Sequence, residues 1–284
     1  MSNKVWMVTG SSRGLGREIV LAALKHGERV IATARNAASL ESLAAEYGEQ
    51  IYPVSMDVTD NAGVLAAVRK GLDRFGRIDV LVNNAGYANV SSIEDITIAD
   101  FEQQVATNFL GVVYAAKAVL PAMRSQGGGS IINISSIGGR VGNAGLGAYQ
   151  SSKFAVNGFT EVLAKEVAPF GIKVTVVEPG GIATDWAGSS MDVPPVSEPY
   201  KELIGGVARH LRGMSAASAE ERIGTLSDPA KIADAVWSLA EMGDPPLHLL
   251  MGTTAYAIAQ EASKRLAESD QKYEPLTKST VYAE

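Results

Sequence analysis

The chain has 284 residues, 46% hydrophobic and 20% charged, which suits a globular protein with a sizeable buried core. Its net charge of −6, from 25 basic and 31 acidic residues, argues against general nucleic-acid binding. These residues include no cysteine, so disulfides, thiolate catalysis and cysteine metal sites are excluded. His26, His210 and His248 are scattered along the chain, with His26 expected at the surface and His210 in solvent or on a lid, and no metal site is expected. The N-terminus enters an apolar strand without a signal-peptide pattern. No run of about 18 apolar residues reads as a membrane span. A cytoplasmic protein is expected.

VWMVT at 5–9 is a β-branched run ending at a glycine and reads as a buried first strand. GLGREIVLAALKHG follows with helical spacing, and Gly27 is its expected C-cap. RVIATA is a second strand, AASLESLAAEYG a second helix and IYPVSMDV a third strand. Asp60 is placed to cap a helix reaching about Phe75, and IDVLVNN is a fourth strand. After a loop over 86–97, a long helical region at 98–124 should bend or end at Pro121. SIINIS is a fifth strand, 147–168 a second long helix and IKVTVVEP a sixth strand. A polar, proline-bearing stretch at 185–226 breaks the rhythm. Asp228 then opens a helix, LHLLMG is a seventh strand, and 253–284 is a partly helical extension. Strands alternating with helices predict βαβ units in one α/β domain, a doubly wound parallel sheet flanked by helices.

TGSSRGLG at 9–16 lies between the first strand and the first helix. Glycines let a pyrophosphate approach the main chain, and the helix N-terminus offers free N–H groups. The spacing is G-x-x-x-G-x-G, not G-x-G-x-x-G, so this loop alone does not define a dinucleotide site. The second strand ends in Ala34 and Arg35, where many dinucleotide folds place an acidic residue on the ribose 2′-hydroxyl. With Arg13 in the loop, two guanidinium groups and no carboxylate favour a 2′-phosphate, hence NADP(H) over NAD(H).

The segment ISSIGGRVGNAGLGAYQSSK at 134–153 holds a second constellation. Positions i and i+4 share a helix face, so Tyr149 and Lys153 project together. Tyrosine's ordinary pKa of about 10 is high for proton transfer at neutral pH, and a nearby ammonium is expected to lower it. Ser136 or Ser135, at the carboxyl end of the fifth strand, can reach the helix start across the glycine-rich loop.

With TGSSRGLG, NNAG at 83–86 and YQSSK at 149–153 in this order, the chain resembles the short-chain dehydrogenases/reductases. The resemblance runs from about Val5 to Thr184 and more loosely to Met251. It implies a single-domain Rossmann-type sheet of about seven strands. It also favours Ser136 over Ser135, because the tyrosine follows Ser136 by thirteen residues. It implies a catalytic set of Asn108, Ser136, Tyr149 and Lys153. Ser136 would bond the carbonyl oxygen and Tyr149 would carry the proton. Lys153 would tune Tyr149 and hold the nicotinamide ribose, and Asn108 would anchor a proton relay. Gly10, Ser12, Arg13, Gly14, Leu15 and Gly16 would face the pyrophosphate, with Arg35 beyond them. Asp57 and Val58 would meet the adenine, and Asn84, Ala85 and Gly86 would lie by its ribose. Pro179, Gly180, Ile182 and Thr184, with Tyr149 and Lys153, would complete the dinucleotide site.

The substrate-facing segments are expected at 87–94, 138–146 and 186–214. They offer Tyr87, Val141, Leu146, Trp186 and Met191, with Arg140 as the main fixed positive charge. Together with Ser136 and Tyr149, this wall favours a neutral, apolar ketone or aldehyde. The stretch 185–226 reads as a substrate lid. The resemblance implies a homodimer or homotetramer built on the two long helices. An NADP-dependent carbonyl reductase is the leading reading. The alternatives are an NAD-dependent alcohol dehydrogenase and a dinucleotide-binding regulator without turnover.

Overall fold

The structure, a computed structural model, describes residues 3–184, Trp186 and 191–282. Residues 185 and 187–190 of the expected lid, and the last two of the C-terminal extension, lie outside the described residues.

Seven strands form one parallel sheet: β1 (Val5–Thr9), β2 (Arg29–Ala34), β3 (Ile51–Ser55), β4 (Val80–Asn83), β5 (Gly129–Ile134), β6 (Ile172–Pro179) and β7 (His248–Met251). Their order is β3-β2-β1-β4-β5-β6-β7, the doubly wound Rossmann-like arrangement. From β1 the chain builds outward through β2 and β3. It then crosses back so that β4 pairs with the other side of β1. The connections therefore diverge between β1 and β4, and a crevice opens at their carboxyl ends.

Both faces of the sheet are covered, so its strands read as continuous apolar runs. Successive residues of β1 serve opposite faces. Trp6 and Val8 pack with Ile19 and Leu24 of helix α1 (Gly14–Lys25) and with Val236 of helix α9 (Pro229–Glu241). Val5 and Met7 pack with Val64 and Val68 of α3 (Asn61–Phe75), Val119 and Met123 of α5 (Gly111–Gln126) and Leu163 of α6 (Gly147–Val167). The remaining helices are α2 (Glu41–Tyr47), α4 (Ile98–Val105), α7 (Lys201–Ala216), α8 (Ala219–Arg222), α10 (Thr253–Lys272) and α11 (Glu274–Lys278).

Three elements differ from expectation. Pro121 does not end its helix: α5 runs on to Gln126, with the proline on the exposed side. Solvent can there replace the hydrogen bond that proline withholds. The break in the long region falls earlier, at a π-helical turn over Ala106–Leu110. The stretch after Met191 is largely helical. The sixteen residues of α7 include Gly205, Gly206 and Gly213, whose low propensity masks the helix in the sequence. The segment Ile98–Gln126 is long and apolar enough by composition for a membrane span. Its residues Val112, Ala115, Ala116, Val119 and Met123 are nevertheless buried in the protein core.

Asp60 and Asp228 cap the helices that they were expected to open. Asp60 accepts a hydrogen bond from Ala62 N at 3.0 Å and opens α3. Replacing it with alanine should lower stability by about 1 kcal/mol, read as a reduced urea midpoint, with turnover unchanged.

Candidate active site

The carboxyl ends of β1, β4, β5 and β6 meet at a cleft of about 2280 Å³. That exceeds the several hundred cubic ångströms typical of a single small ligand and gives room for two molecules side by side.

One half of the cleft is built on the glycine loop. Gly10 takes a left-handed φ of 69°, and a side chain there would meet the Ala85 backbone at 2.9 Å. A methyl group at Gly16 would overlap the Gly10 carbonyl oxygen and the Asn84 amide nitrogen. Asn84 causes this crowding by tying the ends of β1 and β4 together. Its Nδ2 donates to the carbonyls of Thr9 at 3.0 Å and Gly10 at 3.2 Å. Thr9 Oγ1 accepts from the backbone N–H groups of Asn84 and Ala85, both at 3.0 Å. No side chain caps the N-terminus of α1, so its first-turn N–H groups remain available to an anion in the cleft. Every residue expected to hold the dinucleotide, from Gly10 to Thr184, lines this cleft. Arg13 and Arg35 are exposed at its rim. Asp57 spends one carboxylate oxygen on the N–H and hydroxyl of Thr59.

The other half surrounds Ser136, Tyr149 and Lys153. Ser136 Oγ accepts from Gly138 N at 3.0 Å. Ser135 is turned away, its hydroxyl donating to the Lys153 carbonyl at 3.3 Å. Both serines border the cleft, and Ser136 is the one that hydrogen-bonds Tyr149. Burial pushes the Tyr149 phenol above its ordinary value of 10.0, while the hydrogen bond with Ser136 pulls the other way. Burial also lowers Lys153 from 10.5 to about 8. Lys153 Nζ donates to the Ile134 carbonyl at 2.8 Å and lies 5.7 Å from the Tyr149 ring centre.

The expectation that the ammonium depresses the phenol is thus corrected. Burial disfavours the charged form of each group, so the phenol is raised and the amine lowered.

Asn108 does not open on the cleft. It is fully buried in the π-helical turn. Its Oδ1 accepts from Tyr87 N at 3.0 Å and its Nδ2 donates to Tyr87 O at 2.8 Å. Gly86 lies between it and the lysine: a methyl group there would sit 3.1 Å from Asn108 Oδ1 and 3.7 Å from Lys153 Nζ.

Among the expected substrate contacts, Leu146 and Trp186 line the cleft, and Trp186 packs on Tyr149 with ring centres 5.3 Å apart. Val141 and Met191 are buried and do not line it. Met191 packs beneath α7 with Val90, Ile204 and Leu211. Arg140 is also withdrawn, its guanidinium engaged by the buried carboxylate of Glu178. Two further walls come from α7, largely within the expected 186–214 segment, and from α10, which no motif announced. Helix α7 spans the cleft from Val207, 3.4 Å from a methyl position on Gly145, to Ser215, which donates to the Thr184 carbonyl at 2.9 Å. His210 lines the cleft from its exposed face. Thr254 and Ile258 of α10 form the other wall. Among the described residues, no group of acidic and histidine side chains is placed to hold a metal.

Residues 4–193 match the family model for the short chain dehydrogenases. The chain belongs to this family. It is an oxidoreductase of the short-chain dehydrogenase type. The oxidoreductase BOA17 of Botryotinia fuckeliana is 53% identical over 275 residues, covering 96% of this chain and 98% of that protein. A short-chain dehydrogenase from Streptomyces avermitilis superposes with a TM-score of 0.90 at 35% identity, over 99% of this chain and all of that one. Similar folds carry nicotinamide dinucleotides of both kinds. The alcohol dehydrogenase of Thermococcus sibiricus is complexed with 5-hydroxy-NADP (25% identity, TM-score 0.72, 89% of this chain and 97% of that one). The 3-ketoacyl-(acyl-carrier-protein) reductase of Brucella melitensis is complexed with NADH (26%, 0.71, 87% and 96%).

Lys153 titrates near 8 when folded and near 10.5 when unfolded. Between those values the unfolded chain holds more protons, so stability rises with pH across the window. Urea unfolding of the wild type and Lys153→Met should therefore show the wild type gaining on the variant between pH 8 and pH 10. A difference that stays constant would contradict burial of an ionisable amine.

Proposed function

We propose that this chain is an NADP(H)-dependent carbonyl reductase acting on a neutral, apolar ketone or aldehyde. The observation that carries the reading is the Tyr149 phenol, hydrogen-bonded to Ser136 with Lys153 beside it, lining the same cleft as the glycine loop. A phenol lining the cleft beside a hydroxyl donor can give its proton to an oxygen that gains negative charge, as reduction requires.

The residues present fit the dinucleotide. The uncapped N–H groups of α1 suit a pyrophosphate, and Gly10 and Gly16 let the loop beside them close tightly on Ala85 and Asn84. Arg13 and Arg35 at the rim, with Ala34 where an acidic residue would bond a ribose 2′-hydroxyl, suit a 2′-phosphate. Asp57 and Val58 would meet the adenine. Lys153 would hold the nicotinamide ribose, and Pro179, Gly180, Ile182 and Thr184 would flank the ring. When bound, the cofactor supplies the hydride for the carbonyl carbon.

The chain's own part is to orient the carbonyl and manage the proton. Ser136, aligned by Gly138 N, donates a hydrogen bond to the carbonyl oxygen. Tyr149 gives its proton to that oxygen as negative charge develops there. Lys153, pinned to the Ile134 carbonyl, fixes the cofactor side of the same helix face. Asn108 clamps the Tyr87 backbone and so sets the Gly86 edge of the site. It is a positioning residue in this scheme. Leu146, Trp186, Val207 and Met214 give the substrate an apolar wall. Exposed Phe154 and Val162 on the outer face of α6 support a homodimer or homotetramer joined through that face.

The test follows nicotinamide absorbance with NADPH and NADH against a panel of ketones, aldehydes and alcohols. Tyr149→Phe should cut kcat at least about 100-fold while NADPH still binds. Near-wild-type turnover in that variant would remove the tyrosine from the mechanism. Ala34→Asp should swing the ratio of kcat/KM for NADPH over NADH toward NADH, because a carboxylate repels the 2′-phosphate and accepts from a 2′-hydroxyl. An unmoved ratio would overturn the NADP assignment.

A further inference from the structure

We propose that Glu178, with Arg140 and Asn157, is a positioning centre for this reaction. One buried carboxylate fixes the Ser136 loop, the Tyr149–Lys153 helix and the Pro179–Gly180 segment relative to one another. The proposal rests on the reductase reading above.

Glu178 is fully buried at the end of β6, directly before Pro179 and Gly180. Its carboxylate is reached from the Ser136 loop and from the Tyr149–Lys153 helix. Arg140, four residues past Ser136, donates from Nε to Oε1 at 2.8 Å and from its terminal nitrogen to Oε2. Asn157, four residues past Lys153 and on the same face of α6, donates from Nδ2 to Oε1 at 2.7 Å. The same Nδ2 reaches the Gly139 carbonyl at 3.2 Å. His248 of β7 places Nδ1 3.4 Å from Oε2, with its Nε2 3.3 Å from Glu161 Oε1. Three residues past His248, the Met251 carbonyl accepts from Gly180 N at 3.0 Å.

The consequence falls on Ser136. On one side of it, Ser135 is bonded to the Lys153 carbonyl. On the other, Gly139 and Arg140 are held by Asn157 and Glu178. Ser136 therefore sits on a short span anchored at both ends to the helix that carries Tyr149. Removing the second anchor leaves it hinged at the first. Arg140 does not line the cleft, so the centre acts from behind the reacting groups. A buried ion pair is a weak source of net stability, because desolvation cancels most of the attraction. What a forked guanidinium on a carboxylate does provide is direction.

The experiment compares Arg140→Met, Arg140→Lys, Glu178→Gln and the double variant Arg140→Met/Glu178→Gln with the wild type. It measures kcat, KM, the NADPH dissociation constant by fluorescence, and the thermal midpoint. Arg140→Met should lower kcat about 10- to 100-fold, as a misplaced catalytic group does. NADPH affinity should stay within about twofold, and the alkaline limb of the kcat profile should move to higher pH as Tyr149 loses its Ser136 bond. Its thermal midpoint should fall, because Glu178 is left buried without its partner. The double variant should recover the midpoint and not kcat. Arg140→Lys, a point charge without a fork, should also leave kcat low. Full kcat in Arg140→Met, or recovery of kcat with the midpoint in the double variant, would show a purely structural pair and overturn the proposal. If Arg140→Met does not fold, the double variant and Arg140→Lys decide on the same criteria. A wild type with no carbonyl turnover on the panel would instead sink the reductase reading, and this proposal with it.

Discussion

Parallel strands impose the constraint from which the site follows. Every strand of the sheet points the same way, so every connection leaves from the same edge. Thr9, Asn83, Ile134 and Pro179 are strand ends, and the glycine loop, the NNAG segment, Ser136 and the Pro179–Gly180 turn each begin there. No long-range folding device is needed to bring them together. What remains is local fitting, and much of it is done by small polar side chains. Asn84 and Thr9 join the ends of β1 and β4, and Gly16 exists to let that junction close. Asn83, Asn133 and Thr160 continue the pattern in the core, donating in a chain from β4 through β5 to α6 at 2.9 Å each. These bonds are buried, so a mismatch would leave an unpaired group and register slips are penalised.

The site is then an electrostatic compromise. Burial holds Tyr149 neutral and weakens the charge on Lys153, which are opposite to the effects a bare Tyr–Lys pair in water would show. The raised phenol is a weaker acid than tyrosine in water, while an amine near 8 can change its charge close to neutrality. The same dry surroundings strengthen the hydrogen bonds that do form, notably Lys153 to the Ile134 carbonyl and Ser136 to Gly138 N. Rigidity of the Ser136 loop is accordingly worth more here than an additional charge.

Much of this was legible in the sequence because it is local. The β-branched runs became strands, Asp60 became a cap, and the dinucleotide residues line one cleft because their motifs sit at strand ends. Tyr149 and Lys153 share a face by helical spacing alone. Other features depend on partners far away in the chain. Arg140 read as a charge facing substrate, but Glu178 lies 38 residues on and nothing local announces the pairing. Val141 and Met191 read as substrate contacts because they are apolar and near the site, whereas packing turned them inward. Asn108 fell in the expected place, but only the π-helical turn and the Tyr87 backbone explain what its side chain does. The tuning of Tyr149 went the other way from expectation because desolvation is a property of the folded surroundings, not of spacing.

Helix α7 shows how the same fold acquires a particular substrate wall. Interior helical glycine costs about 1 kcal/mol relative to alanine, yet Gly206 and Gly213 both line the cleft. A side chain at either would meet nothing within 4 Å, so close packing does not demand them. Their effect is to keep the cleft open along the face that also presents Leu203, Val207 and Met214. Anchors at both ends offset the lost helix propensity: Ile204 and Leu211 are buried against Val90 and Met191, and Ser215 is tied to Thr184. The wall is thus firm at its attachments and empty at its centre. Beneath that opening lie Ser136 and Tyr149, joined by their hydrogen bond.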